Sequence, residues 1–175
     1  MSKITIFLDS DGVLTNWNKA ACKLFNINPN NIDQYDFDNF IERSELLKKI
    51  DQEKHHFWES LEVFSWANDL IKECKKLGNV CILTSPGEWE CAPSGKMIHF
   101  KKHFPDTPFI ITKDKYFCSH SKSLLIDDTE KNVNKFKNHG GHAILFPKQK
   151  DIENNKVKMS DFYDLIKKEV DKITK

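Results

Sequence analysis

The stretch Lys3-Ile4-Thr5-Ile6-Phe7-Leu8-Asp9-Ser10-Asp11-Gly12-Val13 decides how this 175-residue chain is read. Residues 3–8 are rich in β-branched and aromatic residues and run straight into a polar loop with a glycine, the pattern of a buried strand that ends at a site. Two carboxylates two residues apart at the carboxyl end of a strand can face one pocket, and Gly12 lets the backbone turn tightly beneath a ligand. One carboxylate can then attack an electrophile while its partner handles protons. The plainer alternative is an Asx turn that caps the following helix.

Outward from this stretch, short apolar runs recur at residues 80–83, 109–111, 124–126 and 143–146. Helical spacing lies between them, in Trp66, Leu70, Ile71, Cys74 and Leu77, then in residues 97–104, 133–136 and 162–170. Gly78-Asn79 and Gly140-Gly141 are helix stops set just before two of the strands. Strands alternating with helices predict an α/β fold, a Rossmann-like parallel five-stranded sheet with helices on its faces. Residues 16–60 break the rhythm, with helical patterns and turns but no clear strand, and residues 26–39 hold eight asparagines or aspartates. The expected organisation is therefore a core of residues 1–15 and 61–175 with a small helical cap, 16–60, inserted after the first strand. Residues 148–158 are expected to be a polar surface connection.

Further chemistry stands at the ends of the later strands. Thr84-Ser85-Pro86 follows the second, where two hydroxyls and backbone N–H groups can hold phosphate oxygens, although such a tripeptide is also a common turn. Asp127-Asp128 ends the fourth and suits a hard cation such as Mg²⁺, or else caps a helix starting near Thr129. Acid pair, hydroxyl pair, lysine and acid pair thus fall in order along the edge where open parallel sheets bind ligands.

Composition narrows the partners. Lysine and arginine total 27 against 26 aspartates and glutamates, a net charge of +1 that argues against a surface for wrapping long nucleic acid. Arg43 is the one arginine, so an anion is expected to be met by lysine, metal and backbone and not by an arginine clamp. Five cysteines without a CxxC pair fit reduced thiols and a cytoplasmic location. No apolar run has the length of a signal peptide core or a membrane span.

These motifs resemble those of the haloacid dehalogenase superfamily of phosphohydrolases, and within it the 5'(3')-deoxyribonucleotidases. The resemblance rests on Asp9-x-Asp11-Gly-Val-Leu followed by Trp17, on Phe57-Trp58-Glu-Ser-Leu-Glu, on Thr84-Ser85-Pro86 with Cys91 and Lys96 downstream, on Thr112-Lys-Asp-Lys115 and on Leu-Leu-Ile-Asp127-Asp128. It implies that Asp9 is the nucleophile that becomes an aspartyl phosphate and that Asp11 is the general acid and base. It implies Mg²⁺ between Asp9, the backbone carbonyl of Asp11 and Asp128, with Asp127 as support or alternative ligand. Thr84 and Ser85 would bind phosphate oxygens together with Lys115, Lys122 being the other lysine near the acid pair. Trp17 and Phe57 would flank a nucleobase, while Tyr35, Phe37 and Trp58 are better assigned to packing of the cap.

Where relatives often carry a lysine after the hydroxyl pair, this chain has Gly87-Glu88, an acid that would repel phosphate. Lys96 could compensate, although a surface lysine is the more ordinary reading. His55-His56 and His139-Gly-Gly-His142 lack cysteine partners at zinc-finger spacing, and Ser94-Gly95-Lys96-Met97 lacks the leading glycine and the final hydroxyl of a P-loop. The expected activity is Mg²⁺-dependent hydrolysis of deoxyribonucleoside monophosphates, small-molecule chemistry that leaves a homodimer open. The alternatives are a phosphatase acting on a sugar phosphate or a polynucleotide 3'-phosphate, and a non-catalytic nucleotide-binding protein.

Overall fold

Residues 3–29 and 41–174 are described by the computed structural model of the chain. Tyr35 and Phe37 lie outside the described residues. Strands β1 (Thr5–Leu8), β2 (Asn79–Thr84), β3 (Phe109–Ile111), β4 (Ser123–Asp127) and β5 (His142–Leu145) form one sheet in the order β3-β2-β1-β4-β5, every adjacent pair parallel. They are the five apolar runs of the sequence, with ends shifted by no more than two residues. Around them lie α1 (Trp17–Leu24), α2 (Arg43–Glu53), α3 (His55–Glu59), α4 (Ala67–Leu77), α5 (Ala92–His103), α6 (Glu130–Asn138), α7 (Gln149–Glu153) and α8 (Met159–Thr174).

Because side chains alternate along a strand, β1 serves two cores. Ile6 and Leu8 join Ile82, Leu124 and Ile126 on one face, covered by Leu70 and Cys74 of α4 and by Phe162, Ile166 and Val170 of α8. Phe7 joins Cys81, Leu83 and Leu125 on the other, covered by Val133 and Phe136 of α6. Burial on both faces is why these strands read as continuous apolar runs. Residues 148–158 are less uniform than expected. They contain α7, whose Ile152 is buried in the larger core, so one apolar side chain anchors an otherwise polar stretch.

The chain starts at the middle of the sheet, adds β2 and β3 on one side and then crosses to β4 and β5 on the other. The carboxyl ends of β1, β2 and β4 therefore bracket one crevice. Leu8 lies in register with Ile82 and with Ile126, so Asp9 emerges beside Asp127.

Helices α1, α2 and α3 pack around an apolar cluster of their own, with Cys22, Ile41, Leu46, Ile50, Phe57, Trp58 and Leu61 joined by Ala92 from the start of α5. The backbone leaves toward this layer and returns from it at one place, where Asn16 N–H donates to Glu62 O (2.8 Å) and Phe64 N–H to Leu14 O (3.0 Å). Asn16 also caps α1, its side-chain oxygen accepting from Lys19 N–H at 2.9 Å. A positive φ at Lys54 (53°) separates α2 from α3. Gly95 lets α5 approach α3 closely, since a Cβ there would stand 2.6 Å from both His55 O and Trp58 Cβ. Among the described residues no helix is long and apolar enough to cross a membrane.

Candidate active site

Asp9 follows β1 directly, its N–H donating to Ile126 O at 2.9 Å. Beyond it the backbone coils on the Ser10 carbonyl, which accepts from the N–H groups of Val13, Leu14 and Thr15 at 3.2, 2.7 and 2.9 Å. Gly12 takes φ = 82°, the left-handed region that explains a glycine at this point. Neither carboxylate caps the following helix, because Asn16 does so. Asp9 Oδ1 instead accepts from Ser10 N–H at 2.7 Å, and Asp11 Oδ1 from the Thr15 hydroxyl at 3.1 Å. The Asx-turn alternative is thereby set aside.

Each acid has its own lysine. Lys115, which begins a short 3₁₀ turn (Lys115–Cys118), is 5% exposed and places Nζ 2.6 Å from Asp9 Oδ1 and 2.7 Å from Asp127 Oδ2. Lys122, the other lysine weighed for this position, is exposed. Lys96 is not a surface lysine. It is 2% exposed and donates to Asp11 Oδ2 (2.6 Å), Thr84 Oγ1 (2.9 Å) and the Ser85 carbonyl (2.8 Å), with its ammonium 5.0 Å from the Trp58 ring centroid. The close approach of α5 to α3 at Gly95 carries Lys96 inward, a tertiary effect with no local sequence signal.

Asp127 is fully buried and accepts from Lys115, from Thr129 N–H (2.9 Å) and from the Asn132 amide (3.1 Å to each oxygen). Asp128 Oδ1 accepts from the Thr129 hydroxyl at 3.2 Å. Asp9, Asp127 and Asp128 each present an oxygen within 4.8 Å of the others. The Asp11 carboxylate is outside this group and turned to Lys96.

Burial pushes Asp9 well above the ordinary carboxylate range; Lys115 opposes the shift, and Asp127, Asp128 and Asp11 add to it. Burial also works against the Lys115 ammonium, but Asp9 and Asp127 outweigh it and hold the lysine above its ordinary value. Four carboxylates against two ammonium groups leave the site short of positive charge. An all-oxygen donor set with this deficit fits a hard divalent cation such as Mg²⁺.

One cavity of about 350 Å³ gathers most of these groups. Asp9, Asp11, Thr84, Ser85, Lys96, Lys115 and Asp128 line it, and Trp17, Leu46, Leu47, Trp58 and Trp89 supply the apolar walls. Phe57 does not line it; the ring is buried behind the wall, edge-on to Trp17 (6.3 Å, 78°) and to Trp58 (5.0 Å, 83°). Trp58, read from sequence as packing, faces the cavity. So does Trp89, which no motif marked and whose indole N–H donates to Leu47 O at 3.1 Å. Arg43 also lines the cavity and pairs with Glu88 at 2.7 Å, so the acid expected to repel phosphate is neutralised. Glu88 beside the hydroxyl pair, with Lys96 downstream, was the sequence signal for a compensating cation.

A family model described as 5' nucleotidase, deoxy (pyrimidine), cytosolic type C protein matches residues 2–170. No curated protein matches the sequence. Among solved structures, the chain is similar to one described as a predicted phosphatase from Clostridium acetobutylicum (12% identity, 96% of this chain and 100% of that one, TM-score 0.59). It is also similar to a haloacid dehalogenase-family hydrolase, YfnB, from Bacillus subtilis, solved with magnesium (15%, 83% and 87%, TM-score 0.56). A third is an enzyme of the same family from Bacteroides thetaiotaomicron, an aspartate-to-alanine variant solved with magnesium and inorganic phosphate (14%, 85% and 96%, TM-score 0.53). At these identities the likeness is one of fold.

Proposed function

The chain belongs to the cytosolic type C 5' nucleotidase, deoxy (pyrimidine) family and is a phosphatase, and on that premise we propose that it hydrolyses deoxyribonucleoside monophosphates through an aspartyl phosphate on Asp9 in a Mg²⁺-dependent reaction. The observation that carries this reading is one cavity in which Asp9 and Asp11, each with its own buried lysine, meet Thr84, Ser85 and an apolar wall.

Asp9 attacks phosphorus and the bond from phosphorus to the nucleoside oxygen breaks, with Asp11 delivering a proton to that oxygen. Asp11 then takes a proton from the water that attacks the aspartyl phosphate, which frees inorganic phosphate and regenerates Asp9. Lys115, Thr84 and Ser85 hold the phosphoryl oxygens. Lys96, shared between Asp11 and Thr84, orients the acid toward the leaving oxygen. Asp9, Asp128 and the carbonyl of Asp11, with Asp127 beside them, would hold Mg²⁺, which would supply the charge that lets a carboxylate approach a phosphate dianion.

Residues 16–60 act in this reading as a cap over the core of residues 1–15 and 61–175, and bring Trp17 and Trp58 to the base. Stacking on such rings is worth about 1–3 kcal/mol per base. Phe57 acts from behind by fixing Trp17 and Trp58. Five cysteines without a CxxC pair favour a cytoplasmic location in this reading, and the near-neutral charge favours small nucleotides over long nucleic acid as substrates.

The test is phosphate release with Mg²⁺ across 2'-deoxy and ribonucleotides carrying a 5' or 3' phosphate, together with sugar phosphates. The highest kcat/KM is expected on a deoxyribonucleotide. A higher value on a sugar phosphate, or release from none of them, would overturn the assignment.

A further inference from the structure

Outside the cavity, one cluster of metal-ligating side chains has no part in the phosphatase reading. Helix α3 begins with His55 and His56 and ends with Glu59, and these three residues each present a ligand atom within 4.8 Å of the others. His56 Nδ1 is 2.9 Å from Glu59 Oε1 and His55 Nε2 is 4.0 Å from Glu59 Oε2, so the two imidazoles address the two oxygens of one carboxylate. The rings lie side by side, 4.3 Å between centroids at 40°. All three side chains are reached by solvent, at 42, 67 and 30% exposure.

Their backbone is held from beneath. The positive φ at Lys54 starts the short helix at His55. A Cβ at Gly95 of α5 would stand 2.6 Å from the His55 carbonyl oxygen, so α5 passes close beneath, and His99 Nδ1 lies 3.1 Å from Glu59 O.

We propose that His55, His56 and Glu59 form a second metal site, selective for a borderline transition-metal ion such as Zn²⁺, with water completing the shell. Two imidazoles and one carboxylate are a common zinc donor set, with metal–ligand bonds of about 2.0–2.2 Å that exposed side chains reach by small rotations. The same nitrogens bind Mg²⁺ poorly, whereas the acid cluster at Asp9 offers oxygen alone. The chain thus carries two sites of different chemistry. Cysteine spacing gave no hint of this one, because its third ligand is a glutamate one turn along the helix.

The test is Zn²⁺ titration of the whole chain at pH 7.5 in excess Mg²⁺, by calorimetry, beside the His55→Asn/His56→Asn double variant and Glu59→Gln, with thermal melts of each. The wild-type chain is expected to bind one more equivalent of Zn²⁺ than the double variant, and Glu59→Gln to weaken that equivalent on the order of 10-fold or more. Co²⁺ binding followed by its visible absorption provides an independent readout should a variant melt early, with the extra signal expected in wild type only. Equal stoichiometry and affinity in wild type and double variant, by either readout, would overturn the site. Phosphatase activity does not enter either measurement, so the site stands or falls apart from the nucleotidase reading.

Discussion

Lys96 shows what a single position contributes to this site. Its ammonium joins Asp11, Thr84 and the Ser85 carbonyl, so it sets the orientation of the proposed acid and one wall of the cavity at once. Lys96→Met keeps much of the length while removing the charge, and kcat on a deoxyribonucleotide is expected to fall about 10²–10⁴-fold, with a smaller effect on KM. Unchanged kcat would mean that the lysine only fills space. Asp9, Asp11, Thr84, Ser85, Lys115 and Asp128 were legible because each stands at or just beyond a strand end, where local pattern and chemistry coincide. Lys96 was offered as a compensating cation but read as a surface lysine, and Trp89 was not marked at all, because their places depend on how α5 and the loop before it dock against α2 and α3. A lysine among Met97, Ile98 and His99 carries no periodic signal of facing inward.

At the scale of elements, the contact between α3 and α5 holds the site together. Gly95 is its tightest point, where an added methyl would meet backbone as well as side chain. Gly95→Ala is expected to cost about 1–3 kcal/mol in denaturant unfolding and to lower activity by displacing Lys96. His99 lies in the same contact. With Nδ1 donating to the Glu59 carbonyl, its Nε2 is a buried acceptor with no partner among the described residues, and burial depresses the imidazole's pKa. His103 stacks on it at 4.5 Å and Lys102 adds like charge, while Asp11 pulls the other way. Below about pH 6.5 the unfolded chain takes up a proton that the folded imidazole refuses, so stability is lost as pH falls from there toward the depressed value. The stability of wild type relative to His99→Gln, taken from melts between pH 7.5 and 5, is expected to show this decline. The strands were legible because burial on both faces makes them continuous apolar runs, whereas α7 escaped notice because Ile152 is the one buried side chain in it.

Across the whole molecule, the near-balance of charge hides a local arrangement in which carboxylates outnumber lysines around Asp9. That arrangement favours a metal and a small anion over a polyanion. The helical layer was legible as an interruption of the strand–helix rhythm. Its closure on the core was not, since Arg43 and Glu88 are 45 residues apart in the chain and meet only through the fold. Removing that exposed pair with Arg43→Ala is expected to leave the thermal unfolding midpoint nearly unchanged. Any larger effect on KM would then report the cavity edge and not the fold. The central claim, that Asp9 performs covalent catalysis on a nucleotide phosphate, is tested most directly by steady-state phosphate release from a deoxyribonucleoside monophosphate with Mg²⁺, comparing the wild-type chain with Asp9→Asn. The expected result is turnover by the wild type and a kcat on the order of 10⁴-fold lower in the variant, with the cooperative thermal unfolding retained; comparable turnover by the two proteins would contradict it.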